Sequence, residues 1–338
     1  PLSAADTIKA EITASNGMVA SAQPLASAAG LEILMAGGNA VDAAIASAFA
    51  LGVVEPNATG LGGEGMMVIY LAENKTTIAI DYRSMAPLAD MSKIKFGSEG
   101  HVAVAVPGTV AGLCTALKDY GTKSLAEVMA PAIRYARNGF IVSETLAQTI
   151  ADRFDPISRN EPLLQILAPE GLPLQTGDIF KNPDLAVTLE KIAAGGPDVF
   201  YKGEIAEAIA KDMAKNGGFI TKADLAAYRA IKREPVRGTY RGYEIVSAPP
   251  PVGGISVIEM LNMLECFDLG SEQPLSPRNV HIMSEVMKRG FADNSAYVGD
   301  PDFTQIPAKG LLDKEYARSR AQEIDLNKIT TSIKAGTP

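Results

Sequence analysis

The chain has 338 residues, 47% of them hydrophobic, enough for one large core or two ordinary domains. Its formal net charge of −8, without a cluster of Lys and Arg, argues against a nucleic-acid surface. Two cysteines exclude a disulfide-dense scaffold and a multi-Cys zinc site, and two histidines outside any HExxH spacing argue against a metal centre built from this chain. No apolar run reaches the roughly 18 residues of a membrane span. The N-terminal stretch Pro1-Leu2-Ser3-Ala4-Ala5-Asp6 has neither an initiator Met nor a basic-then-apolar pattern. The expectation is a processed or trimmed start, with any export signal already gone.

In chain order, residues 24–36 read as a helix with Pro24 in the first turn and Gly37-Gly38 as its stop. Asn39 then caps a second helix, 40–54, made almost wholly of small and apolar residues. A helix apolar on all sides is buried on all sides, so this one belongs in the middle of the molecule. A loop over 57–65 leads into two strand-like runs, 66–71 and 76–81, joined by the polar turn Glu73-Asn74-Lys75. The first run is apolar at both parities, which predicts a hairpin covered on both faces. Residues 102–106 are strand-like, and His101 lies in the loop before them.

From Pro107 to about Tyr228 the pattern is mainly helical. Residues 109–118 and 125–138 have helical periodicity, with Gly121 and Gly139 just past their ends and Pro131 placed to kink or split the second. Thr221-Lys222-Ala223-Asp224 opens another helix with a variant of the capping box. Residues 233–247 read as extended, 249–254 as a rigid loop, and 255–266 and 280–293 as long helices. With no low-complexity linker and no internal repeat, a single domain over 1–338 is expected. The apolar settings of Cys114 and Cys266 predict two buried thiols.

Gly60-Leu61-Gly62-Gly63-Glu64-Gly65 formally matches G-x-G-x-x-G. The dinucleotide fingerprint needs a strand before it and a helix after it. Here the order is reversed, so no helix N-terminus is set to face a pyrophosphate. The glycines are expected instead to allow a tight, positive-φ loop near other backbone or a substrate. The sequons Asn57-Ala58-Thr59 and Asn74-Lys75-Thr76 are formal glycosylation sites and carry no weight by themselves. Gly299-Asp300-Pro301-Asp302-Phe303 reads as a structural turn, because two carboxylates are too few ligands for Ca²⁺. His101 and His281 read as structural.

Arg83, in Asp81-Tyr82-Arg83-Ser84-Met85-Ala86-Pro87, ends an apolar strand expected to be central. Its guanidinium is therefore expected near the interior, where an unpaired charge is costly. Two kinds of partner fit: a structural carboxylate such as Asp81, or a substrate carboxylate held bidentately by the planar fork.

The runs Gly17-Met18-Val19-Ala20-Ser21 and Gly37-Gly38-Asn39-Ala40-Val41-Asp42-Ala43-Ala44 resemble the opening of γ-glutamyltransferases. The glycine-rich loop, the stretch around Arg83, Val106-Pro107-Gly108-Thr109, Tyr201-Lys202-Gly203, Tyr240-Arg241-Gly242-Tyr243, Pro249-Pro250-Pro251 and Gly299-Asp300-Pro301-Asp302-Phe303 follow in the family's order. The resemblance runs from about Gly17 to Phe303. It implies an α/β fold, a four-layer αββα sandwich of the N-terminal-nucleophile hydrolase type, completed by a small subunit cut from the same precursor. The small subunit begins with a Thr whose hydroxyl is the nucleophile and whose freed α-amine is the base. This chain is then the large subunit, with no catalytic residue of its own; Thr337 is not a candidate, because it is not an N-terminus. The resemblance gives Arg83 the α-carboxylate of the γ-glutamyl group. It gives the oxyanion role to a Gly-Gly pair of the small subunit, which is not Gly253-Gly254.

The activity so implied is γ-glutamyl acyl transfer and hydrolysis of γ-glutamyl amides such as glutathione. No metal or organic cofactor is called for. The assembly implied is a heterodimer or a dimer of heterodimers, periplasmic or secreted. The alternatives are an acylase of the same family acting on another amide, such as a cephalosporin side chain, or a non-catalytic scaffold. The sequence also departs from the pattern, with Glu64 inside a glycine run that many relatives keep whole and Met66 where they have Phe. An acid at position 64 either alters substrate preference or points outward.

Overall fold

Asn39 starts the helix around which its neighbours pack. In the computed structural model, which describes residues 12–90, 92, 94 and 99–338, that helix is α2 (Ala40–Val54), following α1 (Pro24–Met35). The N-terminal stretch 1–6 lies outside the described residues. Asn39 accepts the N–H groups of Val41 and Asp42 at 2.9 and 3.0 Å, and Asp42 accepts the Asn39 N–H at 2.8 Å, a reciprocal cap. Asp42 is fully buried and also accepts from Thr122 N, Thr122 Oγ1 and Lys123 N. Burial acts to raise its pKa, but these bonds outweigh burial and hold the carboxyl below its ordinary value. One acid thus fixes both the start of α2 and the turn at 122–123.

The chain continues through β1 (Gly65–Leu71) and β2 (Thr76–Tyr82) to α3 (Thr109–Tyr120) and α4 (Leu125–Asn138). Pro131 does not split α4 into two elements; the helix is continuous, opened by a Ser124–Glu127 capping box and closed by Gly139 at φ +86°. Residues 102–106 do not form the expected strand. A 3-10 turn spans Gly100–Ala103, and Val106 makes a lone antiparallel bridge to Met85, with no neighbouring strand to extend it.

The described residues fall into two compact units, 12–65 with 82–230, and 66–81 with 231–338. In the first, α1, α3 and α4 pack on α2, and α8 (Pro183–Gly195) packs on α4. The remaining helices of this unit include α9 (Pro197–Tyr201), α10 (Glu204–Asn216) and α11 (Lys222–Ala227), the last capped by Thr221 and Asp224 as its sequence predicts.

In the second unit the sheet order is β1-β2-β5, with β5 (Ile231–Arg233) antiparallel to β2 and Asp81 opposite Ile231. β6 (Val236–Tyr240) and β7 (Tyr243–Ser247) form a hairpin whose two turn residues, Arg241 and Gly242, have φ of +49° and +84°. α12 (Gly254–Leu264) packs on that hairpin, on α13 (Pro277–Tyr297) and on α15 (Lys314–Gln322), around Met263, Ile282, Val286, Ala317 and Ala321.

The mixed α/β class agrees with expectation. The four-layer sandwich is not complete in this chain, since the largest sheet among the described residues has three strands. β1 is an edge strand, and its Val68 and Tyr70 are 41% and 62% exposed, so the hairpin is not covered on both faces as expected. Cys114 is buried, and burial pushes its thiol up to about 12. Cys266 is exposed, against expectation, because α12 ends at Leu264 and the chain turns before the helical period returns it to the core.

Candidate functional site

Arg83 follows β2 directly, and its carbonyl is held by a stacked pair of tyrosines. Tyr228 Oη donates to the Arg83 carbonyl at 2.8 Å, and Tyr228 stacks on Tyr201 with ring centroids 5.4 Å apart. Tyr201 in turn donates to the Pro107 carbonyl at 2.8 Å and accepts the Ala111 N–H at 3.2 Å. Burial pushes the Tyr201 phenol well above its ordinary pKa, so it remains a neutral donor. The preceding residue, Tyr82, lies against Gly112, where an added Cβ would stand 2.1 Å from the Tyr82 ring. Glycine is needed at 112 for that close approach, not for an unusual φ.

The glycine-rich loop lies beside the same segment. Gly63 O accepts the N–H groups of Gly108 and Thr109 at 2.9 and 3.1 Å, which uses the amino end of α3 on backbone. That agrees with the reading against a pyrophosphate site. Gly60, Gly62, Gly63 and Gly65 are not in positive φ, contrary to expectation; the loop's need is for closeness, as at Gly65, whose Cβ would meet the Tyr82 ring at 2.6 Å.

Between those anchors, Glu64 turns toward Arg83. Its Oε1 lies 3.0 Å from Arg83 Nη2, with the two side chains 35% and 44% exposed respectively. Its Oε2 accepts the Ser84 N–H at 2.7 Å and the Ser84 hydroxyl. Burial acts to raise the Glu64 pKa, but the Ser84 bonds and the Arg83 charge outweigh it and hold the carboxyl below its ordinary value, so it is anionic at neutral pH. The result is a surface ion pair set on a fixed backbone.

This corrects one expectation for Arg83. Its guanidinium is exposed in this chain and not near the interior, because β2 ends at Tyr82 and Arg83 lies beyond the strand. Of the partners considered, a structural carboxylate other than Asp81 meets it, Glu64, while Asp81 binds Arg233 Nε at 2.7 Å, diagonally across the β2–β5 pairing. Asp81 and Arg233 are both largely buried, at 7% and 16% exposure, and so take the structural role considered for Asp81 and Arg83.

The other candidates are placed elsewhere. His101 Nε2 meets Asp212 at 2.8 Å on the surface, and His281 Nε2 meets the Asp325 carbonyl oxygen at 2.9 Å. Asp300 caps its own turn by accepting the Asp302 N–H at 2.9 Å, as the structural reading requires. An open cavity of about 630 Å³, lined by Asn262, Glu265, Cys266, Lys314 and Arg318 among others, does not include Arg83. Ser84 and Tyr228 escaped the sequence reading. A hydroxyl beside an arginine is too common to single out, and Tyr228 meets Arg83 only through the fold.

Comparison with known proteins gives a consistent result. A profile described as gamma-glutamyltranspeptidase matches residues 26–337. The Escherichia coli (strain K12) glutathione hydrolase proenzyme is 46% identical over 95% of this chain and 57% of its own length. The acylase ACY 1 proenzyme of Pseudomonas sp. (strain SE83) is 44% identical over 94% of this chain and 60% of its own length. Among solved structures, the gamma-glutamyltranspeptidase of Helicobacter pylori superposes with a TM-score of 0.92 at 40% identity, covering 96% of this chain and 97% of that one. The chain therefore spans between 57% and 60% of the length of these two curated relatives.

Proposed function

The chain belongs to the gamma-glutamyltranspeptidase family, and we propose that it is the large subunit of an enzyme transferring and hydrolysing γ-glutamyl groups of amides such as glutathione. The small subunit, from the rest of the same precursor, completes the αββα sandwich and supplies the N-terminal Thr. That hydroxyl attacks the γ-carbonyl, the freed α-amine takes its proton and passes it to the amide nitrogen as the C–N bond breaks and the amine departs, and the acyl-enzyme ester is then attacked by water or by an amine acceptor, which releases the γ-glutamyl product and restores the Thr hydroxyl. Arg83 binds the α-carboxylate of the donor, so that this chain contributes orientation while bond-making takes place on the other. The active protein is a heterodimer, acting in the periplasm or outside the cell. Among the described residues, no helix is long and apolar enough to cross a membrane.

The observation that carries this reading is the exposed guanidinium of Arg83, on a backbone fixed by Tyr228. In the matured two-chain protein, Arg83→Ala is expected to raise KM for γ-glutamyl-p-nitroanilide by roughly 10- to 100-fold, the loss of a charge-assisted contact. Arg83→Lys keeps the charge without the fork and is expected to recover only part of it. An unchanged KM in both variants refutes the assignment. Mass spectrometry under denaturing conditions, with N-terminal sequencing, tests the assembly: a second, smaller chain beginning with Thr is required.

A second reading, an acylase of the same family, is favoured by the ACY 1 relative. It predicts faster turnover of an amide lacking the α-amino group. If neither class of amide is turned over by the matured protein, the scaffold reading stands.

A further inference from the structure

We infer that Glu64 makes this site selective for an amino-acid head group, carboxylate and ammonium together, over a bare carboxylate. The inference rests on the proposed role of Arg83 and deepens it. A carboxylate approaching a lone guanidinium meets a full positive charge. Here it meets Arg83 with the Glu64 carboxylate already 3.0 Å from Nη2. The pair is neutral as a whole, and a second carboxylate brought to the same guanidinium is repelled by the first. A ligand carrying an ammonium on the carbon next to its carboxylate does not suffer this. Its carboxylate faces Arg83, its ammonium faces Glu64, and the two charge pairs lie side by side with opposite sense.

Two observations make Glu64 a fixed part of the site, and a third leaves it open to a ligand. Ser84 holds one oxygen through both its N–H and its hydroxyl, leaving the other directed at Arg83. The flanking residues are placed too, Gly63 by its bonds to Gly108 and Thr109, and Gly65 as the first residue of β1, with no room for a side chain beside Tyr82. Both charged groups remain open to solvent, at 35% and 44% exposure, so a ligand can reach them without a rearrangement of the core. An exposed ion pair of this kind contributes little to folding, which leaves recognition as its main effect.

The comparison needs two donors that differ only in the ammonium, γ-glutamyl-p-nitroanilide and glutaryl-p-nitroanilide, assayed with the matured two-chain protein. The parent is expected to prefer the γ-glutamyl donor. Glu64→Gln keeps the size and an acceptor for Ser84 but removes the charge, and is expected to move the ratio of kcat/KM values toward glutaryl by about tenfold, mainly through KM. Glu64→Gly, tested in parallel in case the amide misplaces Ser84, is expected to move the ratio the same way. Glu64→Asp keeps the charge and is expected to restore much of the preference. If Glu64 only supports the loop, both donors lose the same factor and the ratio stands still, which overturns the inference. Arg83→Ala separates the two levels. If it raises KM for both donors while Glu64→Gln leaves the ratio unmoved, only the role of Glu64 fails. If it changes neither KM, the carboxylate site itself is wrong.

Discussion

Two sets of arginine–carboxylate pairs, one in each unit, show how differently the same chemistry is used. In the first unit Arg83 and Glu64 stand at the surface. In the second, Arg320 Nε lies 3.1 Å from Asp293, with side chains 4% and 0% exposed, and Arg289 Nη1 lies 2.9 Å from Glu285, at 2% and 1%. The buried groups have many partners. Asp293 also accepts from Tyr316 Oη and Gly336 N, while Arg320 donates to Glu323 and to the Lys334 carbonyl. Burial acts to raise the Glu285 pKa, yet bonds from Lys288, Thr330 and Arg289 bring it down to about 2. Such a network clamps the segment around 330–336 onto α13 and α15, and any exchange of partner leaves a charge stranded. An exposed pair can exchange a partner for a ligand at small expense, and that is why binding is proposed there.

The comparison can be broken most severely at Arg320. Arg320→Ala takes the paired guanidinium from buried Asp293 and the Arg320 bond from the Lys334 carbonyl, and is expected to cost about 3–5 kcal/mol in denaturant unfolding. A loss under about 1 kcal/mol contradicts the clamp.

Glu259 sharpens the buried side. Burial first, then the hydrogen bond and charge of Asp293, push its carboxyl up to about 9, against a smaller opposing pull from Arg320. The folded protein therefore keeps a proton that the unfolded chain releases above its ordinary value near 4.5. That contribution is complete below the unfolded value and is lost as pH rises through about 9. Stability is expected to fall across this window by at most about 1.4 kcal/mol per pH unit, and Glu259→Gln to flatten the slope. A pH profile identical in parent and variant excludes the shift.

The smallest effect is predicted at the exposed pair. Arg83→Ala is expected to change unfolding stability by less than about 1 kcal/mol while raising KM. A large destabilisation would move Arg83 to the structural class and remove the contrast.

What the sequence discloses is mostly local. The Asn39 cap, the hairpin turn at 73–75 and the glycine stops at 121 and 139 depend on neighbours in the chain, and the structure has them where the residues indicate. α13 is longer than read, because Ser276 and Pro277 form a start signal one turn before its apolar period begins. The partner of Arg83 was not legible. Asp81 is the nearer acid in sequence, but Arg233, brought alongside by strand pairing, already binds it. Glu64 is conspicuous in a glycine run, yet only the bonds from Ser84 and the anchoring of Gly63 aim it at Arg83.

The pairing of β2 with β5 has a consequence for synthesis. Asp81 and Arg233 are 152 residues apart, so the hairpin leaves the ribosome long before the strand that completes its sheet. At roughly 5–20 residues per second, the β2 edge waits on the order of ten to thirty seconds. An apolar strand with an open edge is a template for mispairing during that interval, and a charge near its end opposes it. Asp81, buried and paired once the sheet is complete, is until then a charge on that open edge.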